Sequence, residues 1–298
     1  MLQSNRLKQA ARLLDIHEPV FTCPVCRSPL RLLENRRMAC PLRHSFDLAR
    51  DGYLHLLTGP PSGSERYNRE LFEARRRIHH SGFFRPLALA LEQELLPLAL
   101  HARPAACRIL DAGCGEGSLL AGLTGRLAAQ TGYDVLGVGL DLAKAGIAAA
   151  AKQSSPGTLW CVADLAQAPL ADGRWDAILS ILSPVRYETC RRLLVPDGLV
   201  LKAIPGPLYL QELRALLYPG RARQGQGTAS LDRFAAAFPS MHQIRITESL
   251  TLEGTRIRDL LQMTPLAWHA PTAARESAAA RERLTVTLDW ILAAGKQP

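Results

Sequence analysis

The segment Arg108–Gly117 reads RILDAGCGEG, and it indicates an α/β fold built on parallel strands. A short apolar strand ends at Asp111, and glycines follow at every second position, namely Gly113, Gly115 and Gly117. Glycine has no Cβ, so such a loop can turn sharply and let a ligand approach the backbone closely. In open α/β sheets, that ligand lies at the carboxyl ends of the strands.

The form of this loop narrows the class of ligand. It does not match the dinucleotide fingerprint GxGxxG, and no Gly-Lys-Ser/Thr follows it as in a phosphate-binding Walker loop. It has the D-x-G-x-G-x-G form expected for S-adenosylmethionine. We therefore predict that Asp111, Gly113, Gly115 and Gly117 bind this cofactor.

Two more acids end the next two predicted strands. Val135–Leu140 is followed by Asp141, whose carboxylate can accept hydrogen bonds from both ribose hydroxyls. Leu159–Val162 is followed closely by Asp164, which is placed to contact the adenine amino group. Either acid alone could be a helix N-cap. Three acids that close three successive strands favour a cofactor site instead.

Around this loop, short apolar strands alternate with helices rich in alanine and leucine, which predicts a doubly wound parallel sheet of the Rossmann-like class I methyltransferase type. Upstream, Leu71–Ala102 has a helical pattern broken at Gly82 and Pro86. Near the carboxyl terminus, Gln243–Glu248 and Leu284–Trp290 are predicted as paired antiparallel edge strands. The candidate parallel strands are Arg108–Leu110, Val135–Leu140, Leu159–Val162, Ala177–Ser180 and Leu199–Ala203.

The N-terminal region carries two knuckles with metal-ligand spacing. Cys23 and Cys26 are separated by two residues, and Cys40 is followed by His44. Three thiolates and one imidazole close a tetrahedral site, so the spacing predicts one structural zinc ion rather than a catalytic one. The small N-terminal unit that contains these ligands buries too little apolar surface to fold without a bound metal ion. The remaining cysteines are predicted core residues: Cys107, Cys114, Cys161 and Cys190.

The sequence divides into three parts. Residues 1–57 are predicted to form an N-terminal helix and a zinc ribbon, whose last hairpin turns at Asp51-Gly52 and leaves His55 at the surface. Residues 58–70 are a linker rich in proline, glycine and serine. Residues 71–298 form the methyltransferase domain.

The charge of the chain is unevenly distributed. The net charge is +9, and the basic excess lies mainly in the N-terminal third rather than in the segment that holds the glycine loop. A basic module beside a neutral core is expected to favour a polyanionic partner, although a merely solvated surface explains the charge equally well. No apolar run is long enough to span a bilayer, and no secretory signal is present, so a cytoplasmic protein without membrane contact is expected.

These motifs occur together in one order: the CPxC and CPxRH knuckles, the FDxAxxGYxxLL hairpin, GFFRPL from Gly82, DAGCGEG, GLD, and MTPLAW from Met263. In this combination, the chain resembles the bacterial 23S rRNA (guanine-N1)-methyltransferases over nearly its whole length. The resemblance implies methylation of guanine N1 in a hairpin loop of 23S rRNA near the peptide exit tunnel. It also implies a homodimer whose two ribbons help to form an RNA-binding cleft.

The resemblance also implies roles for individual residues. Phe84 stands in the place of an aromatic residue that closes over the cofactor, and Gly115 and Glu116 occupy cofactor-binding loop positions. Tyr209 stands where relatives can have a histidine near the cofactor. We expect the basic side chains of Arg36, Arg37, Arg43 and Arg75–Arg77 to contact RNA phosphates, with residues 222–227 (ARQGQG) as the next candidates.

Two other functions stay open from the sequence. A methyltransferase of another RNA, a protein or a small molecule could use the ribbon as a docking module. A non-catalytic ribosome-assembly factor could keep the same fold, although the intact glycine loop and Asp141 argue for cofactor binding. The group that accepts the guanine N1 proton is not assigned.

Overall fold

The computed structural model of the chain describes residues 2–33, 36–59, 66–101, 106–153, 155–220 and 228–297. The α-helices in those ranges are α1 (Leu2–Ile16), α2 (Arg69–His80), α3 (Arg85–His101), α4 (Ser118–Thr131), α5 (Lys144–Ala150), α6 (Tyr187–Leu193), α7 (Gln211–Leu217), α8 (Thr228–Ala237), α9 (Thr255–Met263) and α10 (Thr272–Ala279). The strands are β1 (Arg31–Leu33), β2 (Arg37–Ala39), β3 (Ser45–Asp47), β4 (Leu54–His55), β5 (Cys107–Ala112), β6 (Val135–Asp141), β7 (Thr158–Val162), β8 (Trp175–Ile181), β9 (Leu194–Pro205), β10 (His242–Glu253) and β11 (Arg283–Lys296).

An eight-stranded sheet forms the centre of the molecule, in the order β10-β11-β9-β8-β5-β6-β7-β4. The strands from β9 to β4 in that order are parallel, and β11 is antiparallel to both of its neighbours. This topology confirms the predicted doubly wound sheet, and the five predicted parallel strands fall within β5 to β9. The prediction of two edge strands at the carboxyl terminus is wrong for β11, because this long strand also pairs with β9.

Apolar side chains cover both faces of the sheet. The central strands β6 and β7 are buried along nearly their whole length, as expected for parallel strands packed on both sides. One apolar cluster joins the sheet to helices α2, α3, α4, α5, α7 and α9. The other joins it to α1, the N-terminal cysteine-containing unit, α6 and α8. The N-terminal unit is therefore packed directly on one face of the sheet.

The predicted hairpin at Asp51-Gly52 is present, with an antiparallel bridge between Leu48 and Leu54 across its turn. The Ala49 N–H donates a hydrogen bond to the carbonyl oxygen of Tyr53 at 2.8 Å. Strand β4 also pairs in parallel with β7 of the central sheet, so Leu54 joins the hairpin to that sheet. The edge of β7 offers backbone groups to a neighbouring strand, and this pairing also buries Leu54. His55 is exposed, as predicted.

The predicted helical stretch Leu71–Ala102 contains α2 and α3, which are separated at Gly82, where φ is +88°. Pro86 does not interrupt a helix; it lies in the first turn of α3, where a helix needs no N–H donor from it. Of the predicted linker, residues 60–65 lie outside the described residues, and α2 begins at its end. Among the described helices, none is both long and apolar enough to cross a membrane.

Candidate cofactor site and metal centre

The loop between β5 and α4 has the backbone shape that its glycines predict. Gly113, Gly115 and Gly117 have φ values of +94°, +57° and +80°, in the left-handed region that favours glycine. A Cβ at Gly117 would lie 2.5 Å from the Trp160 ring, and one at Gly113 would lie 2.7 Å from the Ser183 Cβ. The loop is therefore a tight cradle in which side chains would disturb both the turn and its surroundings.

Asp141, at the end of β6, holds this loop in place. Its carboxylate accepts a hydrogen bond from the Gly115 N–H at 2.8 Å and another from the Ala143 N–H at 2.8 Å. Burial raises the pKa of Asp141, while these two backbone donors oppose that effect. Each carboxylate oxygen accepts one of these bonds and keeps a lone pair. The side chain can therefore support the loop and still accept bonds from a ligand.

Asp111, at the end of β5, is buried in a cavity beside the loop. Only 2% of its surface is exposed, and its Oδ1 has no hydrogen-bond partner among the described residues. Burial, with the nearby negative charge of Asp141, raises the pKa of Asp111 to about 7. An orphaned carboxylate oxygen of this kind is costly unless a ligand supplies a donor. The cavity is lined by Arg75, His79, Phe84, Asp111, Gly113, Cys114, Glu116, Leu119, Ile181 and Leu182.

Glu116 lines this cavity and is also tied into its wall. It accepts hydrogen bonds from Ser118 Oγ at 2.5 Å and from Arg76 Nε at 3.4 Å, and Gln153 Nε2 lies 3.3 Å from it. The carboxylate therefore braces the loop against α2 and the end of α5. Of its polar partners, Arg76 alone carries a charge opposite to that of the carboxylate.

The cavity brings together only part of the predicted cofactor residues. Phe84 is buried in its wall, with its ring stacked 5.9 Å from that of His79. Tyr209 does not line the cavity; its ring lies 5.9 Å from that of Trp290, and burial raises its pKa while the charge of Arg75 opposes the rise. Asp164 accepts a hydrogen bond from the Ala166 N–H at 2.8 Å and so caps a short 3-10 helix, which is the alternative considered from sequence.

The turn after β8 closes the cavity next to Gly113. Ser183 Oγ donates a hydrogen bond to the Ala112 carbonyl oxygen at 2.5 Å, and Leu182 has a φ of +55°. Beneath this turn, the buried Lys202 donates to Ser180 Oγ at 3.3 Å and to the Ser183 carbonyl oxygen at 3.2 Å. Burial lowers the pKa of Lys202. No local pattern around Lys202 indicates that this lysine supports the turn.

The three arginines Arg75–Arg77, which we expect to contact RNA phosphates, have different surroundings in the structure. Arg76 pairs with Glu116, and Arg77 pairs with Asp259 of α9 at 2.7 Å. Arg75 lines the cavity together with His79, one helical turn later on α2. Arg75 and His79 are four residues apart, and this spacing places two side chains on the same face of a helix. It is the one sequence signal that could have predicted that both line the cavity.

The metal-ligand prediction corresponds to one cluster. One ligand atom from each of the four residues lies within 4.8 Å of the others: Cys23, Cys26, Cys40 and His44. The Cys40 Sγ is 3.4 Å from His44 Nδ1 and 3.6 Å from the Cys26 Sγ. Ligand separations of this size suit a tetrahedral ion bound at ~2.3 Å by sulfur and ~2.0 Å by nitrogen. A hydrogen bond from Ser28 lowers the pKa of Cys26 to about 6, which favours the thiolate.

The other four cysteines lie apart from this cluster. Cys107, Cys161 and Cys190 are buried, which confirms the prediction of core packing. Cys114 is only partly buried and lines the cavity beside the glycine loop. Burial raises its pKa well above the ordinary value.

Two family models match the chain. Residues 21–60 match the model described as RlmA, N-terminal, which is a zinc-ribbon family. Residues 109–198 match a model described as a methyltransferase domain. The first range contains all four clustered ligands, and the second contains the glycine loop.

Three relatives are similar to nearly the whole chain. YxjB of Bacillus subtilis (strain 168), provisionally named a 23S rRNA (guanine-N(1)-)-methyltransferase, is 42% identical over 85% of this chain and 88% of its own. A Micromonospora griseorubida protein, provisionally given the same activity name, is 32% identical over 90% of this chain and 94% of its own. The 23S rRNA (guanine(748)-N(1))-methyltransferase of Streptomyces fradiae is 29% identical over 83% of this chain and 85% of its own.

Proposed function

Because the chain belongs to the family of 23S rRNA (guanine-N1)-methyltransferases, we propose that it transfers a methyl group from S-adenosylmethionine to N1 of a guanine in a 23S rRNA hairpin loop. The observation that carries this proposal is the cavity at the glycine loop. There, a buried carboxylate oxygen of Asp111 has no hydrogen-bond partner within the described ranges, beside a loop whose shape requires glycines. Such a site fits the charged methionine end of the cofactor.

In this proposal, several residues together orient the cofactor. Asp111 binds the ammonium group of the methionine moiety, and Asp141 binds the ribose hydroxyls. Glu116 keeps the loop in shape, and Phe84 covers the cofactor. Asp164 contacts the adenine amino group. The assignment of Tyr209 rests on the family resemblance, since this residue does not line the cavity.

When bound, S-adenosylmethionine supplies an electrophilic methyl group, so the protein mainly has to align this group with guanine N1. The turn at Leu182–Ser183 borders the cavity and is held rigidly by Ala112 and Lys202, which supports a role in presenting the base. The guanine is flipped out of its loop to reach this turn. Its N1 proton passes to a carboxylate or to water.

The Cys23, Cys26, Cys40 and His44 cluster holds one structural zinc ion in this proposal. Zinc suits the donor set, because three thiolates and an imidazole complete a closed tetrahedral site. The match of residues 21–60 to a zinc-ribbon family supports the same metal.

The unit of residues 1–57 is proposed as the RNA-binding domain, followed by a linker over 58–70 and the methyltransferase domain over 71–298. The proposed assembly is a homodimer whose two ribbons form an RNA cleft. The proposed location is the cytoplasm, where the rRNA named for the bacterial relatives is made. The exposed basic side chains of the ribbon support the RNA-binding part of this proposal.

The direct test is transfer of tritium from labelled S-adenosylmethionine to 23S rRNA, followed by nuclease digestion and identification of the labelled nucleoside. We expect incorporation that requires the RNA and yields N1-methylguanosine. Label on protein or on a small molecule would instead support the docking-module alternative. Cofactor binding without transfer to any rRNA would support the non-catalytic assembly factor.

We expect RNA binding to depend on Arg36, Arg37 and Arg43, which are exposed on the ribbon. Replacing all three with glutamine should weaken binding of the 23S rRNA hairpin and reduce the slope of log K against log salt by up to about 3, because each phosphate contact releases counterions. Electrophoretic mobility shift at several salt concentrations measures both quantities. Cofactor affinity should not change.

A matched control removes the same charge from another surface. Arg233, Arg275 and Arg281 are exposed and lie outside the ribbon. Their triple glutamine variant should keep the wild-type salt slope. Equal slopes for both triple variants would place the RNA surface elsewhere, with residues 222–227, which lie outside the described residues, as the next segment to test.

We also expect cofactor affinity to respond to pH near neutrality through Asp111. Burial and the charge of Asp141 raise the pKa of Asp111 to about 7, and the charge of Arg75 opposes the rise. Binding an ammonium group favours the ionised carboxylate, so below pH 7 a proton must leave before the ligand binds. The affinity for S-adenosylhomocysteine should therefore fall by up to about tenfold per pH unit below 7 and level off above it.

Isothermal titration in buffers of different ionisation enthalpy measures the released proton. The other charged groups near Asp111 are Asp141, Arg75 and Glu116, and burial lowers the pKa of His79 in the same cavity. An Asp111→Asn variant should bind more weakly and lose most of the pH dependence between 6 and 8. A variant with the wild-type pH profile would show that another group titrates.

A further inference from the structure

Three consecutive arginines on α2 have different surroundings. Arg76 pairs with Glu116 at 3.4 Å, and Arg77 forms two hydrogen bonds with one carboxylate oxygen of Asp259, at 3.0 and 2.7 Å. Arg75 lines the cofactor cavity, and no carboxylate of the described residues forms an ion pair with it. Arg75 is therefore a cation that faces the cavity and is not neutralised by direct pairing with a carboxylate of the described residues.

The position of this cation is defined by the glycine loop. The Arg75 Nη1 lies 2.9 Å from the point that a Cβ at Gly115 would occupy. A side chain at Gly115 would therefore require the guanidinium to move. The absence of a Cβ at this position leaves the guanidinium directly against the loop that we propose holds the cofactor.

The cavity contains a negatively charged and a positively charged side chain, Asp111 and Arg75. Asp111 offers a buried carboxylate oxygen without a partner, and Arg75 offers a guanidinium without a paired carboxylate. Burial raises the pKa of both Asp111 and Asp141, and the charge of Arg75 opposes the rise in each case. The two side chains are therefore close enough to influence each other, yet they do not form an ion pair among the described contacts. A ligand with both charges can satisfy both groups.

We propose that Arg75 binds the α-carboxylate of the methionine moiety of the cofactor, while Asp111 binds its ammonium group. This inference rests on the proposed function and identifies a residue that selects ligands bearing an amino-acid end. Guanidinium groups suit this task because they can bind a carboxylate through two parallel hydrogen bonds. Arg75 is therefore a specificity determinant of the cofactor site.

An RNA phosphate is a less suitable partner for this arginine. Arg75 is half-buried and shares the cavity with Asp111 and Glu116, whose carboxylates repel a polyanion. The exposed arginines Arg36, Arg37 and Arg43 lie on the ribbon surface instead. The zwitterionic end of an amino acid is matched to a cavity of mixed charge, whereas a phosphate chain is not.

The test compares two ligands that differ only in the carboxylate. Binding of S-adenosylhomocysteine and of its decarboxylated analogue is measured by calorimetry with the full-length protein and with Arg75→Met. We expect the wild type to bind the analogue about ten- to a hundredfold more weakly than S-adenosylhomocysteine. The Arg75→Met variant should bind S-adenosylhomocysteine more weakly by a similar factor and the analogue as the wild type does.

Two further variants separate charge from position. Arg75→Lys keeps the charge without the planar fork, so we expect it to recover part of the discrimination between the ligands. Arg69→Met removes an exposed charge from the start of the same helix, where Arg69 pairs with Glu73, and should retain full discrimination. Unchanged binding of the analogue by Arg75→Met also shows that the variant site is folded.

Each outcome has a distinct meaning. If Arg75→Met binds both ligands more weakly by the same factor, the arginine only supports the fold of the site and the inference is wrong. The inference is also wrong if the variant discriminates as the wild type does. If the wild type binds neither ligand, the proposed cofactor function itself fails.

Discussion

A Cys40→Ser variant is expected to contain no bound zinc and to have an unfolded ribbon. Cys40 is one of four ligands that lie within 4.8 Å of one another, and three remaining ligands cannot close a tetrahedral structural site. Structural zinc contributes about 10–16 kcal/mol of apparent binding free energy in small zinc-dependent peptides, so its loss should outweigh any other stabilisation within the ribbon. Elemental analysis gives the metal content, and limited proteolysis shows whether residues 20–50 are cut.

The same substitution at another buried cysteine is the matched control. Cys190 is buried in α6, away from the metal cluster, and Cys190→Ser should keep one zinc per chain. We expect the Cys40 variant to lose rRNA methylation while it retains measurable affinity for S-adenosylhomocysteine. A Cys40→Ser protein with undiminished zinc would exclude this ligand assignment.

An Asp141→Ala variant is expected to bind S-adenosylhomocysteine more weakly by about 1–3 kcal/mol, or roughly 5- to 150-fold. Two effects contribute. The ribose hydroxyls lose a charged acceptor, and the Gly115 and Ala143 N–H groups lose the oxygen atoms that fix the loop. Calorimetry with the purified variant measures the change in affinity.

An aspartate at the opposite end of the sheet provides the control. Asp176 accepts a hydrogen bond from the Arg108 N–H at 2.7 Å, near the start of β5 rather than at the cofactor loop. We expect Asp176→Ala to reduce thermal stability without changing ligand affinity, whereas Asp141→Asn should bind between the wild type and Asp141→Ala. Equal affinity in Asp141→Ala and wild type would contradict the proposed ribose contact.

The parallel strands of the central sheet could be predicted because the sequence features that indicate them are local. Each of β5 to β9 is a short apolar run, and glycine or an acid follows the first three at the carboxyl end. The pairing of strand β4 with the central sheet could not be predicted, because this strand has only two residues and its local pattern indicates only the second half of a hairpin. Its partner in the central sheet is β7, which lies far away in the sequence. Pairing between strands so distant in sequence depends on which sheet edge is still unpaired once the rest of the sheet has formed.

The candidate site was predictable to a similar extent. The spacing of acids and glycines pointed to Asp111 and Asp141, and the structure gives both a place beside the loop. The arginines of α2 could not be separated from sequence, because three identical neighbours differ only in which distant carboxylate each reaches. Lys202 was missed because a lysine within an apolar strand gives no sign of the turn above it.

The pairing of β4 with β7 sets an order of events during synthesis of the chain. The four metal ligands lie within residues 23–44, so the ribbon can take up its metal soon after it leaves the ribosome. Strand β4 cannot find its partner until residues 161–162 have been translated. In the interval, a metal-loaded ribbon must expose the apolar surface around Phe21 and Leu30 that later meets the sheet. Nascent chains stopped before β7 should therefore bind chaperones through this surface, and release should coincide with emergence of β7.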